Sequence, residues 1–255
     1  MKCDLCPRKC LVDRKKGEKG ICGQTENLKV ARAALHFWEE PCISGDAGSG
    51  AVFFSGCPLH CVFCQNENIA NGTVGKEISL ERLPGIFLEL QEKRANNINL
   101  VTPGHFVPQI VKALDQARRE GLTLPVVYNT SSYETVDTIK MLEGCVDIYL
   151  PDFKYMSPVL SKKYSHAPDY AQVAKAAIAE MVRQTGKAVF VNGDEDNLIL
   201  SGTIVRHLTL PGCMADSIQI LKYLHETYGD MIYISIMNQF TPLSNLEKYP
   251  ELNRR

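Results

Sequence analysis

Three cysteines within eight residues, in Cys57-Pro58-Leu59-His60-Cys61-Val62-Phe63-Cys64, constrain this chain more than any other feature. They follow closely on the apolar run Ala51-Val52-Phe53-Phe54. The spacing Cys-x3-Cys-x2-Cys puts three thiolates on one short loop, where they can hold three irons of a [4Fe-4S] cluster. Such clusters normally take four Cys ligands, so the fourth iron stays open to another ligand. An open iron points to chemistry at that iron rather than to plain electron transfer. A closed zinc site would need a fourth ligand from elsewhere, and three thiols so close together are seldom mere packing.

A second group, Cys3, Cys6, Cys10 and Cys22, lies among the glycines Gly17, Gly20 and Gly23. These four thiols can enclose zinc or a closed [4Fe-4S] cluster, and the spacing does not choose between them. The segment has too few apolar residues to fold alone, so a metal would supply much of its order. No coordination position is left free, which gives it a structural or electron-relay role.

The amino terminus, Met1-Lys2-Cys3-Asp4, has no apolar core of a signal peptide, and no apolar run reaches the roughly 18 residues of a membrane span. A cytoplasmic protein is expected, and there the ten cysteines read as metal ligands before disulfides. A net charge of −1 gives no global field for nucleic acid or anionic membrane.

Residues 1–27 therefore read as a Cys-rich metal-binding segment, 28–50 as a lead-in and 51–255 as the main body. In the lead-in, Glu39 and Glu40 read as a solvated face, with a carboxylate near the active-site mouth as the alternative, and Cys42 reads as a buried thiol. Strands are predicted near Ala51–Phe54, Ile98–Thr102, Pro125–Asn129, Val146–Pro151, Ala188–Val191, Thr203–Leu208 and Met231–Met237. Helices are predicted over Leu80–Lys93, Pro108–Glu120, Thr135–Leu142, Tyr170–Gln184 and Ala215–Tyr228. Such alternation implies an α/β fold of parallel strands with helical crossovers, a complete or partial (β/α) barrel.

Working residues of such barrels sit beyond the carboxyl ends of the strands. Those ends here carry Gln65-Asn66, Thr102-Pro103-Gly104-His105, Asn129-Thr130-Ser131, Asp152-Phe153-Lys154, Arg206-His207 and Asn238-Gln239. Asp152 and Lys154 are the stronger marks, because each follows a run apolar enough to be buried. Tyr149 and Tyr155 flank them, and either could pack on an adenine. His60 lies inside the Cys loop, where it either tunes a cluster or is simply solvated.

The Cys-x3-Cys-x2-Cys loop after a first strand, with aromatic Phe63 before the last Cys, resembles the radical S-adenosylmethionine (SAM) superfamily. More narrowly, the chain resembles the pyruvate formate-lyase activating enzyme group, in particular homologues with an amino-terminal Cys cluster. The marks are Cys3-x2-Cys6-Pro7-Arg8-x-Cys10, Ser55-Gly56-Cys57, Phe63-Cys64-Gln65-Asn66, Tyr128-Asn129-Thr130-Ser131, Asp152-Phe153-Lys154 and Arg206 ahead of Leu210-Pro211-Gly212. The resemblance implies a partial (β/α)6 TIM-like barrel of the radical SAM type. It further implies a [4Fe-4S] cluster on Cys57, Cys61 and Cys64, with SAM near Phe63, Thr102, Asn129, Thr130, Asp152, Lys154 and Arg206. The family's Gly-Gly-Glu after the second strand is Thr102-Pro103-Gly104-His105 here, so the SAM amino group must be held differently. His105 and Gln239 are candidate substrate contacts.

The function implied is reductive SAM cleavage followed by hydrogen abstraction, with a flavodoxin or ferredoxin as reductant. The substrate would be a glycyl-radical enzyme or a free small molecule, such as a modified nucleobase undergoing a lyase or rearrangement reaction. A non-catalytic iron-sulfur electron-transfer protein is the alternative from a different class.

Overall fold

The computed structural model describes residues 2–194, 197–243 and 246–253. Elements follow in the order β1 (Lys29–His36), α1 (Pro41–Ser44), β2 (Ser49–Phe54), α2 (Glu67–Ala70), β3 (Lys76–Glu77) and α3 (Arg82–Glu92). Next come β4 (Ile98–Val101), α4 (Val107–Arg119), β5 (Val126–Thr130), α5 (Val136–Lys140), β6 (Ile148–Pro151), α6 (Pro158–Ser165) and α7 (Tyr170–Thr185). The last are β7 (Val189–Phe190), β8 (Ile199–Leu208), α8 (Met214–Tyr228) and β9 (Tyr233–Met237).

Six strands run parallel as neighbours, β2-β4-β5-β6-β8-β9. No pairing joins β9 back to β2 among the described residues, so the barrel is open, the partial form expected. Two expectations are corrected here. The stretch around Ala188–Val191 is only the two-residue β7, paired antiparallel to β8 at the sheet's edge. The lead-in contributes a full strand: β1 lies antiparallel on β2, with Ala33 opposite Val52 and His36 opposite Ser49. Its residues are mostly half-buried or exposed, so they carry little of the apolar patterning that marks the central strands.

The core forms on both faces of this sheet. Along α4, Val107, Ile110, Ala113, Leu114 and Ala117 fall on one stripe at helical spacing and are buried against Leu100 and Tyr128. Pro108 occupies the first turn, where its missing N–H costs nothing. Each fully buried Leu or Ile on that stripe contributes about 1.5–3 kcal/mol. On β6, Tyr149 joins this helix-facing cluster, while Ile148 and Leu150 join another with Ile43, Val127 and Ile204 inside the barrel. This is the period-two alternation of a strand. Ile43 on α1 thus fills the barrel's base.

Among the described residues, no helix is long and apolar enough to cross a membrane.

Candidate active site

The loop after β2 carries the three clustered thiols. Leu59 and Phe63 anchor it in a core with Phe153, Tyr155 and Tyr170. Desolvation pushes the Cys57 thiol up to about 12, while the backbone N–H groups of Leu59 and His60 favour its thiolate. Desolvation also raises Cys64, against which the Asn66 N–H and the nearby Lys154 ammonium work. Thiols this reluctant to ionise alone, yet already met by donors, suit metal ligands, which a metal's charge deprotonates. The Ser165 hydroxyl donates to the Cys61 sulfur at 3.0 Å and is itself 2.7 Å from the Tyr155 hydroxyl. A cavity of about 210 Å³ opens beside the loop, lined by His60, Cys61, Cys64, Glu67 and Tyr249 among others. Three thiols on one loop, donors on all three sulfurs and a cation nearby fit an iron-sulfur cluster.

Inside the barrel a charged chain leads away from these sulfurs. Lys154 Nζ lies 2.6 Å from Asp152 Oδ2, and Arg206 Nε donates to Asp152 Oδ1 at 3.1 Å. Arg206 also donates to Asn129 Oδ1 at 2.7 Å and pairs with Glu39 Oε1 at 3.1 Å. Glu39 Oε2 in turn accepts from Asn129 at 2.9 Å and Asn99 at 2.7 Å. Desolvation alone would raise Asp152, but Lys154 and Arg206 outweigh it and hold the carboxyl below its ordinary value. Lys154 and Arg206 are in turn held above theirs: burial works against both, and the carboxylates beside them prevail.

Glu39 is the residue for which the second sequence reading, a carboxylate near the site, fits better than the first. Far from lying on a solvated face, its carboxyl is 11% exposed and closes one end of this network. The approach through α1 explains it, since Ile43 plugs the barrel base and draws the residues before it inside. Glu40 reaches β9, where Ser235 donates to it at 3.1 Å.

The structure separates other candidates. Thr130 faces away from the network: Asn129 points into the barrel, so its neighbour's hydroxyl lies on the helix side, donating to Glu134 Oε1 at 2.7 Å. Tyr149 faces the helices too, its hydroxyl on Gln184. His105 is buried in the core, not at the mouth, with Nε2 2.7 Å from the Ser55 carbonyl and its own carbonyl accepting from Arg14. Desolvation pushes its pKa down to about 3, so it is neutral. Gln239 is exposed beyond the end of β9. Phe63 packs edge-on against Tyr155 and Phe240. Thr102, directly after β4, is in a left-handed conformation, φ 54°, with its N–H on the Asn129 carbonyl. A β-branched residue there stores about 1–3 kcal/mol of strain, which is characteristic of functional sites.

Glycine at 104 has a local cause. A Cβ there would collide with the Glu134 carboxyl, which also accepts from Tyr128 at 3.1 Å. Desolvation raises Glu134 to about 7. A carboxyl near 4.3 in the unfolded chain then ionises first in that state, so stability falls as pH rises from about 4 to 7. Glu134→Gln retains an oxygen acceptor and removes the titration. Its stability advantage over the wild type is expected to grow by about 3 kcal/mol between pH 4 and pH 8. Urea denaturation at the two pH values measures this, and a constant difference would refute the buried, protonated acid.

The amino-terminal segment lies over the Cys57–Cys64 loop. Arg8 donates to the carbonyls of Pro58, Ser165 and His166, and His60 Nε2 is 2.7 Å from the Ile21 carbonyl. The Cys22 carbonyl packs so closely on Gly56 that no Cβ fits there. Desolvation pushes the Cys6 thiol up to about 12 and also raises Cys22, and Cys3 and Cys10 stand close enough to add to these shifts. Among the described residues, no three His, Cys, Asp or Glu side chains are grouped as ligands of a single metal ion.

Residues 43–163 match the family model described as a 4Fe-4S single cluster domain. An uncharacterized protein of Methanocaldococcus jannaschii, MJ0674, is 28% identical over 262 aligned residues, covering 99% of this chain and 70% of that protein. Among solved structures, methylornithine synthase (PylB) has a TM-score of 0.51 at 15% identity, covering 76% of this chain and 53% of that one. HydG, a maturase of the [FeFe]-hydrogenase, has a TM-score of 0.50 at 15% identity, covering 77% of this chain and 43% of that one. The chain thus spans about half the length of these two structures, which share its fold. The fold is an open parallel barrel like that of these two structures, and the loop bearing Cys57, Cys61 and Cys64 lies within the stretch that matches the 4Fe-4S single cluster domain model.

Proposed function

We propose that the protein is a radical SAM enzyme. The observation carrying this reading is the Cys-x3-Cys-x2-Cys loop at the carboxyl end of the first parallel strand, faced by Lys154, Asp152 and Arg206. Cys57, Cys61 and Cys64 would hold a [4Fe-4S] cluster, which together with bound SAM would supply radical chemistry able to abstract a substrate hydrogen. The protein's share is binding, orientation and electrostatics.

In this reading the Lys154 ammonium offsets the negative charge of Cys61 and Cys64. Asp152 holds Lys154 and Arg206 in place, and Arg206 presents planar donors suited to a carboxylate or to ribose hydroxyls. Glu39 steadies Arg206 from the far side. Dithionite and SAM added to anaerobically reconstituted protein should release 5'-deoxyadenosine; a fully loaded cluster giving none would count against the reading.

Ser165 is expected to tune the cluster. A donor on a cluster sulfur stabilises the more negative, reduced state. Losing one hydrogen bond of about 1 kcal/mol in Ser165→Ala should lower the midpoint potential by roughly 50 mV. An EPR-monitored redox titration reads this, and an unchanged midpoint would remove Ser165 from that role.

For the substrate, the resemblance favours the glycine Cα of a glycyl-radical enzyme, which makes the protein an activase. The second reading, a free small molecule, is supported by the buried polar interior. Among the described residues, Asn99 Oδ1 has no hydrogen-bond partner there, beside the Glu39 and Arg206 charges. Unmet acceptors within reach of fixed charges suit a small polar ligand. The amino-terminal thiols would hold zinc or a second cluster that orders their segment.

A further inference from the structure

Reductive chemistry at the loop requires electrons from outside, and one surface over the loop is built unlike the rest of the chain. Residues 1–27 carry seven Lys and Arg against four Asp and Glu, whereas residues 28–255 carry 21 against 25. Lys9, Lys15, Lys16 and Lys19 are all exposed. Only Lys15 of these has a carboxylate within ion-pairing distance among the described residues, Glu26 at 4.0 Å.

The same segment exposes two apolar side chains, Leu11 at 53% and Ile21 at 48%. Both flank Cys10, since Leu11 follows it and the Ile21 N–H donates to its sulfur at 3.3 Å. Beneath this patch the chain touches the cluster loop directly, through Ile21 O on His60 and the Cys22 carbonyl on Gly56.

We propose that this basic-rimmed apolar patch docks an acidic, low-potential one-electron carrier protein, which delivers its electron to the cluster loop beneath. The inference rests on the radical SAM reading. A small apolar centre with a charged rim is the anatomy of a transient redox interface, which buries little area and owes its speed to charge. The reduced carrier loses one electron and the cluster gains it.

The test is the rate of cluster reduction in the holoprotein, followed by bleaching of its visible absorbance. Reduced flavodoxin is the carrier probe, and dithionite is the small-molecule comparison. In the variant Lys9→Glu/Lys16→Glu/Lys19→Glu the flavodoxin rate is expected to fall about tenfold or more, with the dithionite rate unchanged. In the wild type the flavodoxin rate should also fall as salt screens the charges. An undiminished flavodoxin rate in the variant, or a wild-type rate indifferent to salt, would overturn the proposal. A cluster that both reductants reduce but that never yields 5'-deoxyadenosine would instead overturn the radical SAM reading, and the docking result would still stand or fall by the rates.

Discussion

Replacing Cys57, Cys61 or Cys64 with Ala should abolish 5'-deoxyadenosine formation and cost most of the iron bound at that loop. Each thiolate is one of only three ligands offered to the cluster, so no spare can take its place. The comparison that gives this force is Cys145→Ala and Cys213→Ala, thiols outside both groups, which should keep full iron and activity. Anaerobic iron and sulfide assays read the first effect, and chromatography of the nucleoside product reads the second. SAM cleavage persisting in all three single variants would remove the cluster from this loop.

The second large effect is expected at Asp152. Its carboxylate is 16% exposed and meets both Lys154 and Arg206. In Asp152→Ala both cations lose this partner in a site largely shielded from water, while Arg206 keeps Glu39 and Asn129. Breaking one side of a buried pair typically costs about 3–5 kcal/mol. SAM binding should weaken as well, because Lys154 and Arg206 would no longer be held in one arrangement. Urea denaturation and equilibrium dialysis with SAM measure the two effects. Wild-type stability together with wild-type SAM affinity in this variant would show that Asp152 organises nothing.

The parallel strands β2, β4, β5, β6 and β8 were legible because buried strands read as near-continuous apolar runs, and β9, though only half-buried, carries a similar run. The Cys loop was legible because its spacing is dictated by the geometry of a cluster. Where one strand face meets the helices and the other the barrel, naming the right dipeptide was not enough. Asn129 and Thr130 read alike in the sequence, but strand alternation puts only Asn129 beside Arg206.

Glu39 was only faintly marked, for a different reason. Its partners Asn99, Asn129 and Arg206 lie 60, 90 and 167 residues away, and nothing in its own neighbourhood marks it as buried. α6 left a signal that went unread. Ser157 followed by Pro158 is a helix start, and the Ser157 side chain does accept the Leu160 N–H. His105 misled because it follows a strand end, where ligands are expected, yet the chain turns it inward onto Ser55 and Phe106.

The most direct measurement is the EPR spectrum of the dithionite-reduced protein, loaded with cluster, before and after SAM is added. An iron left open by three-thiolate ligation should take up SAM, so the spectrum is expected to change on addition. That change should survive in Cys3→Ser, whose thiol belongs to the other group, and vanish with the cluster in Cys61→Ala. A reduced cluster on Cys57, Cys61 and Cys64 whose spectrum is the same with and without SAM would contradict an open iron, and with it the proposed chemistry.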